Sequence, residues 1–174
     1  MHYYNQSPEF TINITPTYRY KNLSASILCT WQKGGKLYSN TISRGIICGT
    51  LQETGNRDEL VAVDGYTYDS QTDTYTPYSA NISKEVYMTG KYMYDTRNSI
   101  VDASFFKIRE ASISYLFDSP NKKYFQNISL SLIGRNLLLL TKQDHFDPET
   151  AFLGEENFAI PTTRSYSLQL TATF

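Results

Sequence analysis

The chain has 174 residues, the length of one ordinary domain, and balances 16 Lys and Arg against 17 Asp and Glu for a net charge of −1. That balance offers no basic patch for nucleic acid, and the two cysteines, Cys29 and Cys48, are too few for a disulfide framework and lack metal-ligand spacing. No aliphatic run exceeds residues 137–140, far short of the ~20 apolar residues a spanning helix needs, whereas a mean hydropathy of −0.42 is compatible with alternating membrane strands, half of whose residues are polar.

In chain order, residues 9–20 alternate. Phe10, Ile12, Ile14, Tyr18 and Tyr20 fall on one side, and Glu9, Thr11, Asn13, Thr15, Thr17 and Arg19 on the other. A period of two is the signature of a strand with one apolar face. Pro16 lacks a ladder donor and predicts a bulge or an edge. A turn at Lys21-Asn22 leads to a second strand, with Leu23, Ala25, Ile27, Cys29 and Trp31 against Ser24, Ser26, Leu28, Thr30 and Gln32; Gly34-Gly35 ends it. Residues 36–102 are polar and without sustained period, which predicts a long functional loop over 34–102 that bends at Gly45, Gly49, Gly55 and Gly65.

Periodicity returns at 105–117, where Phe105, Ala111, Ile113, Tyr115 and Phe117 share a face with Lys107 and Arg109. This reading puts the two cations at the outer end of the apolar face, above the hydrocarbon or snorkelling toward headgroups. After a turn at Asp118-Ser119-Pro120-Asn121, residues 124–133 point Tyr124, Ile128, Leu130 and Leu132 outward, and Gly134-Arg135-Asn136 breaks the register. A second long polar connection covers 140–162. The last strand alternates without a slip: Tyr166, Leu168, Leu170, Ala172 and Phe174 against Ser165, Ser167, Gln169, Thr171 and Thr173. Residues 166–174 match the roughly 9–11 residues of a tilted bilayer-crossing strand.

About five strands joined by turns that run short, long, short, long predict an all-β fold, an antiparallel transmembrane β-barrel with short periplasmic turns and long extracellular loops. With the chain end periplasmic, Tyr18, Tyr20, Tyr115, Phe117, Tyr124 and Phe174 stand at the inner ends of the apolar face. Phe10, Trp31, Phe105 and Tyr166 stand at the outer ends. Two aromatic belts result, as expected at the two interfaces. Five strands cannot close a barrel whose bacterial minimum is eight, and an open edge in lipid costs several kcal/mol per unsatisfied group. Residues 1–174 are therefore expected to be the carboxyl-terminal portion of a larger barrel, which also accounts for the lack of a basic-then-apolar leader.

Asp144-His145-Phe146-Asp147-Pro148-Glu149 gathers oxygen donors that could suit a divalent cation, but the spacing matches no ligand pattern and the favoured reading is a solvated acidic turn. Tyr66, Tyr68, Tyr75, Tyr78, Tyr87, Tyr92 and Tyr94 in the long loop suit a partner or a sugar surface, or packing of the loop on itself. No nucleophile–base set and no cofactor site is visible, so no enzyme is expected. A secreted soluble β-sandwich that binds carbohydrate is the competing class.

The sequence resembles the SusC/RagA-type TonB-linked outer-membrane transporters. The resemblance rests on Tyr20-Lys21-Asn22-Leu23-Ser24, Lys33-Gly34-Gly35-Lys36-Leu37-Tyr38, Asn56-Arg57-Asp58 and Val63-Asp64-Gly65. It continues through Asp102-Ala103-Ser104-Phe105-Phe106-Lys107-Ile108-Arg109-Glu110, Ser114-Tyr115, Gly134-Arg135-Asn136-Leu137, Asp147-Pro148-Glu149 and Pro161-Thr162-Thr163-Arg164-Ser165-Tyr166. Leu116-Phe117 departs from it, since the family often has a proline soon after the tyrosine. The resemblance implies a 22-stranded barrel filled by a plug, importing oligosaccharides or peptides with energy from TonB through an amino-terminal part not in this sequence. It also implies a SusD-type lipoprotein partner and a terminal aromatic strand read by the barrel assembly machinery. A siderophore or cobalamin receptor shares the barrel but would lack the block from Asp102 to Tyr115.

Overall fold

The computed structural model describes residues 4–118 and 127–173, so Tyr124, Phe174 and the turn after Asp118 lie outside the described residues. The strands are β1 (Pro8–Ile14), β2 (Thr17–Tyr20), β3 (Leu23–Gly34), the short β4 (Lys36–Ser39), β5 (Leu60–Asp69), β6 (Thr74–Ser83), the short β7 (Ile100–Asp102), β8 (Phe105–Asp118), β9 (Asn127–Thr141), the two-residue β10 (Glu155–Glu156) and β11 (Ser165–Thr173). The helices are α1 (Asn40–Cys48) and α2 (Lys84–Tyr94). Two compact units result, Met1–Leu37 with Asp102–Phe174, and Tyr38–Val101.

The first unit is an antiparallel sheet in the order β1-β3-β8-β9-β11, with β2 also paired to β3. β1 and β2 bind successive parts of β3, so they are one strand interrupted at Pro16, as its missing donor predicts. The proline carbonyl still accepts from the Ile27 amide at 3.2 Å. β9 runs on through the expected break at Gly134-Arg135-Asn136 and carries Leu138 and Leu140 in the same strand as Leu130 and Leu132.

β8 corrects the sequence reading. Leu28 and Cys29, adjacent on β3, face Glu110 and Ile108, so Arg109 is an extra residue. On the other side Ile108 faces Leu138 while Glu110 faces Arg135, and Asn136 adopts φ +52° inside the slip. A bulge of this kind reverses the in–out parity of everything beyond it. Ala111, Ile113, Tyr115 and Phe117 keep the apolar side, but Phe106 and Ile108 continue it; Phe105 and Lys107 turn to the opposite side and are buried.

Within the long loop expected over 34–102, the second unit has helices and a hairpin of its own. Ser39 caps α1 by accepting from the Ile42 amide at 3.1 Å, and Ile42 and Ile46, one turn apart, bury the apolar stripe. Gly49 ends the helix at φ +67°, and the Arg57 guanidinium, which donates to the Cys48 carbonyl at 3.0 Å, occupies the place a Cβ would take. β5 and β6 form a ten-pair hairpin, and α2 follows it. Of the glycines expected to be bends, only Gly49 has positive φ: Gly45 lies inside α1, and Gly65 sits mid-strand opposite Tyr78. The unit shows no strand period in its sequence because most of the hairpin is solvent-exposed on both faces, so burial never imposed alternation.

Candidate functional site

The registers place the apolar residues of all five strands on one side. Trp31 faces Ile12 and Phe106; Ile27 faces Ala111; Ala25 faces Tyr18 and Ile113; Leu132 lies between Ile113 and Leu168; Leu130 lies between Tyr115 and Leu170; Ala172 faces Ile128. This side is open: Trp31, Ile113, Leu132, Leu168 and Leu170 are all exposed, the last two by 72% and 70%. A continuous exposed apolar face across five strands far exceeds the scattered apolar residues of a soluble surface.

The aromatic residues expected at its rims are found as follows. Phe10 meets Trp31 edge-on at 5.0 Å, Tyr115 meets Phe117 at 4.8 Å, and Tyr18 and Tyr20 are exposed beside Ala25 and Leu23. Tyr166, the second residue of β11, lies opposite Gly134 and is exposed. Phe105 is not on this face; the bulge buries it on the other side, and Phe106 stands in its place.

The opposite side is polar and internally bonded. Ser26 and Ser112 meet at 2.8 Å, Ser114 donates to Ser131 at 2.7 Å, and Arg135 pairs with Glu110 at 2.9 Å. Near the start of β8 lies a cluster that sequence reading misplaced. Lys107, 1% exposed, donates to Asp147 at 2.7 Å and to Glu149 at 2.8 Å. Arg109 donates to Thr30 at 2.6 Å and forks onto both oxygens of Glu149. Thr30 donates to Asn13 at 2.7 Å, and Thr162 donates to Asp147 at 3.2 Å. The two cations are therefore neither above a hydrocarbon layer nor snorkelling; they bind the 142–164 connection to the polar face.

The acidic segment is not wholly solvated: Asp144 and Glu149 are exposed, but residues 146–148 between them are buried. Asp147 is buried and caps the short helical turn at Pro148–Thr150 by accepting from the Glu149 amide at 3.1 Å, and no metal-binding group of acidic, His or Cys side chains occurs among the described residues. Burial pulls the Glu149 carboxyl upward, but hydrogen bonds from Arg109 and Lys107 outweigh it and hold its pKa below the ordinary value. Asp102 shows the same balance: burial opposes its charge, while Lys142 and Ser104 bring its pKa down to about 2. Sequence reading assigns the two cations to the membrane-facing side and the two carboxylates to a solvated turn; with the bulge, the four meet on the polar side.

In the second unit, Tyr66, Tyr68 and Tyr75 lie on one face of the hairpin and Tyr78 on the other. Tyr87, Tyr92 and Tyr94 belong to α2, with Tyr94 exposed and the Lys91 ammonium 5.9 Å from the Tyr87 ring.

No protein-family profile matches the chain. It is 25% identical over 153 residues to TonB-dependent receptor P3 of Formosa agariphila, an alignment that covers 87% of this chain and 14% of the receptor. Among solved structures, the RagAB peptide importer superposes with TM-scores of 0.62 in its closed-closed state and 0.63 in its open-open state, at 16% identity. Those alignments cover 97% of this chain and 17% of the importer chain, so the chain spans about a sixth or less of the proteins it matches. The likeness is to receptors and importers, not enzymes, and TonB-dependent receptors reside in the bacterial outer membrane.

Proposed function

We propose, from the premise that this chain is a homologue of the TonB-dependent receptors, that residues 1–174 are the carboxyl-terminal barrel portion of an outer-membrane nutrient importer. The carrying observation is the sheet's two-sidedness: one face apolar and exposed across five strands, the other polar, hydrogen-bonded and holding a buried ion cluster. Such a sheet suits lipid on one side and a barrel interior on the other. Its free edges on β1 and β11 suit pairing with further strands, since an unpaired edge has no partner in hydrocarbon.

In this reading Tyr166, Leu168, Leu170 and Ala172 meet lipid, and Phe174 completes the strand that the barrel assembly machinery reads. Phe10, Trp31 and Tyr166 mark the outer interface, and Tyr18, Tyr20, Tyr115, Phe117 and Tyr124 the inner one. Residues 34–102 and 140–162 are extracellular. The importer takes up oligosaccharide or peptide together with a SusD-type surface lipoprotein, energised by TonB through parts outside this chain. The loop tyrosines, Tyr66 to Tyr94, contact the partner or the substrate.

Single-cysteine labelling tests the central claim. With Cys29 and Cys48 replaced by serine, labels at Leu132, Leu168 and Leu170 should be quenched by lipid-borne nitroxide. Labels at Ser131, Gln169 and Thr171 should react with a water-soluble thiol reagent instead. Equal behaviour on both faces would overturn the membrane reading.

A further inference from the structure

The β5–β6 hairpin carries a chemistry that the importer reading does not use. Residues 60–83 contain Asp64, Asp69 and Asp73 and no Lys or Arg. One face presents, in cross-strand pairs, Asp64 with Ser79, Tyr66 with Pro77, and Tyr68 with Tyr75. Ser79 donates to Asp64 at 2.7 Å, and the Tyr68 hydroxyl donates to Asp73 in the turn at 3.0 Å. The Tyr68 and Tyr75 rings are 5.0 Å apart, and Tyr66, Tyr68 and Tyr75 are exposed by 74%, 50% and 68%. Three tyrosines thus lie between a carboxylate at each end. Nothing in the hairpin neutralises them, and hydrogen bonds from Gln71 and Thr72 lower the pKa of the neighbouring Asp69.

Carboxylates beside exposed aromatic faces are the surface that a guanidinium or ammonium group fits: the ring attracts the cation and the carboxylate pairs with it. Asp64 and Tyr68 are four residues apart on one strand, about 13 Å at the rise of a strand, and Asp73 adjoins Tyr68. An extended peptide carries side chains on one side at that same interval. We propose that this hairpin face is a capture subsite for an extended cationic peptide, the substrate class of the importer. The proposal rests on the importer reading for the word substrate, and on the charge and geometry of the hairpin for the binding itself.

The test uses the full-length receptor in detergent and a synthetic octapeptide of glycine and serine with arginine at its second and sixth positions. Its counterpart carries citrulline, the uncharged isostere, at both. Calorimetric titration at low salt should find the arginine peptide bound about tenfold more tightly, the combined effect of two exposed ion pairs and ring contacts. The preference should shrink as salt rises. Asp64→Asn with Asp73→Asn, which keeps the turn's geometry, should abolish the preference and leave citrulline binding unchanged. Tyr66→Ala with Tyr75→Ala should weaken both peptides. Equal affinity for the two peptides, a preference that survives the double Asn variant, or binding of cellohexaose alone would overturn the proposal. Absent uptake of either peptide in energised cells, with the arginine preference intact, would remove peptide as the imported cargo and leave the subsite standing.

Discussion

Lys107 is held by two carboxylates in a place where water does not reach. Removing one member of a buried pair leaves its partner charged and unsolvated, which costs about 3–5 kcal/mol. Lys107→Met should therefore lower the unfolding free energy measured in urea by that order, and Lys107→Met with Asp147→Leu should recover most of the loss. Glu149 gives the cluster a pH dependence whose sign is fixed. Its folded pKa lies below the ordinary 4.5, so its pairing stabilises the fold fully above that value and is lost as pH falls through the depressed one. The urea midpoint should decline on that acid limb, and Glu149→Gln should flatten the decline. A limb of unchanged slope would mean that another carboxyl governs it.

The sheet's elements depend on parity. Leu168 and Gln169 are neighbours on β11 but face opposite sides, opposite Leu132 and Ser131. Leu168→Arg should cost about 2–4 kcal/mol near a bilayer midplane, whereas Gln169→Arg should change folding little; equal effects would argue for a two-sided soluble sheet. Asn136, at φ +52° within the bulge, should tolerate glycine, while Asn136→Val should cost roughly 1–2 kcal/mol in the same unfolding assay because a β-branched side chain resists that conformation. The strands that alternate without interruption, at 9–14, 23–32 and 165–173, were legible in sequence because period two reports facing directly. Phe105 and Lys107 were misplaced because parity was counted straight across Arg109, and no local residue pattern announces the extra residue. The ion cluster was hidden for a different reason. Lys107 and Asp147 are 40 positions apart, and pairing at that separation follows from the fold, not from spacing. The two helices of residues 38–101 escaped because they are short, and the hairpin because it is largely exposed.

For the whole molecule, the unit Tyr38–Val101 interrupts a sheet whose strands β3 and β8 pair directly. Replacing residues 62–81 by a short Gly-Ser turn should leave the protein inserted at normal levels, as read by surface protease protection, while reducing copurification of the proposed lipoprotein partner or uptake of substrate. Wild-type copurification and uptake would leave the unit without a role in import. The chain leaves and re-enters the sheet at nearly one point, where the Ala103 amide donates to the Gly35 carbonyl at 3.0 Å. In terms of descent, that junction is a place where recombination can exchange one inserted segment for another of different length without shifting the register of any strand. In the proposed reading, a lineage can therefore revise the segment it shows outside the cell while inheriting the wall unchanged.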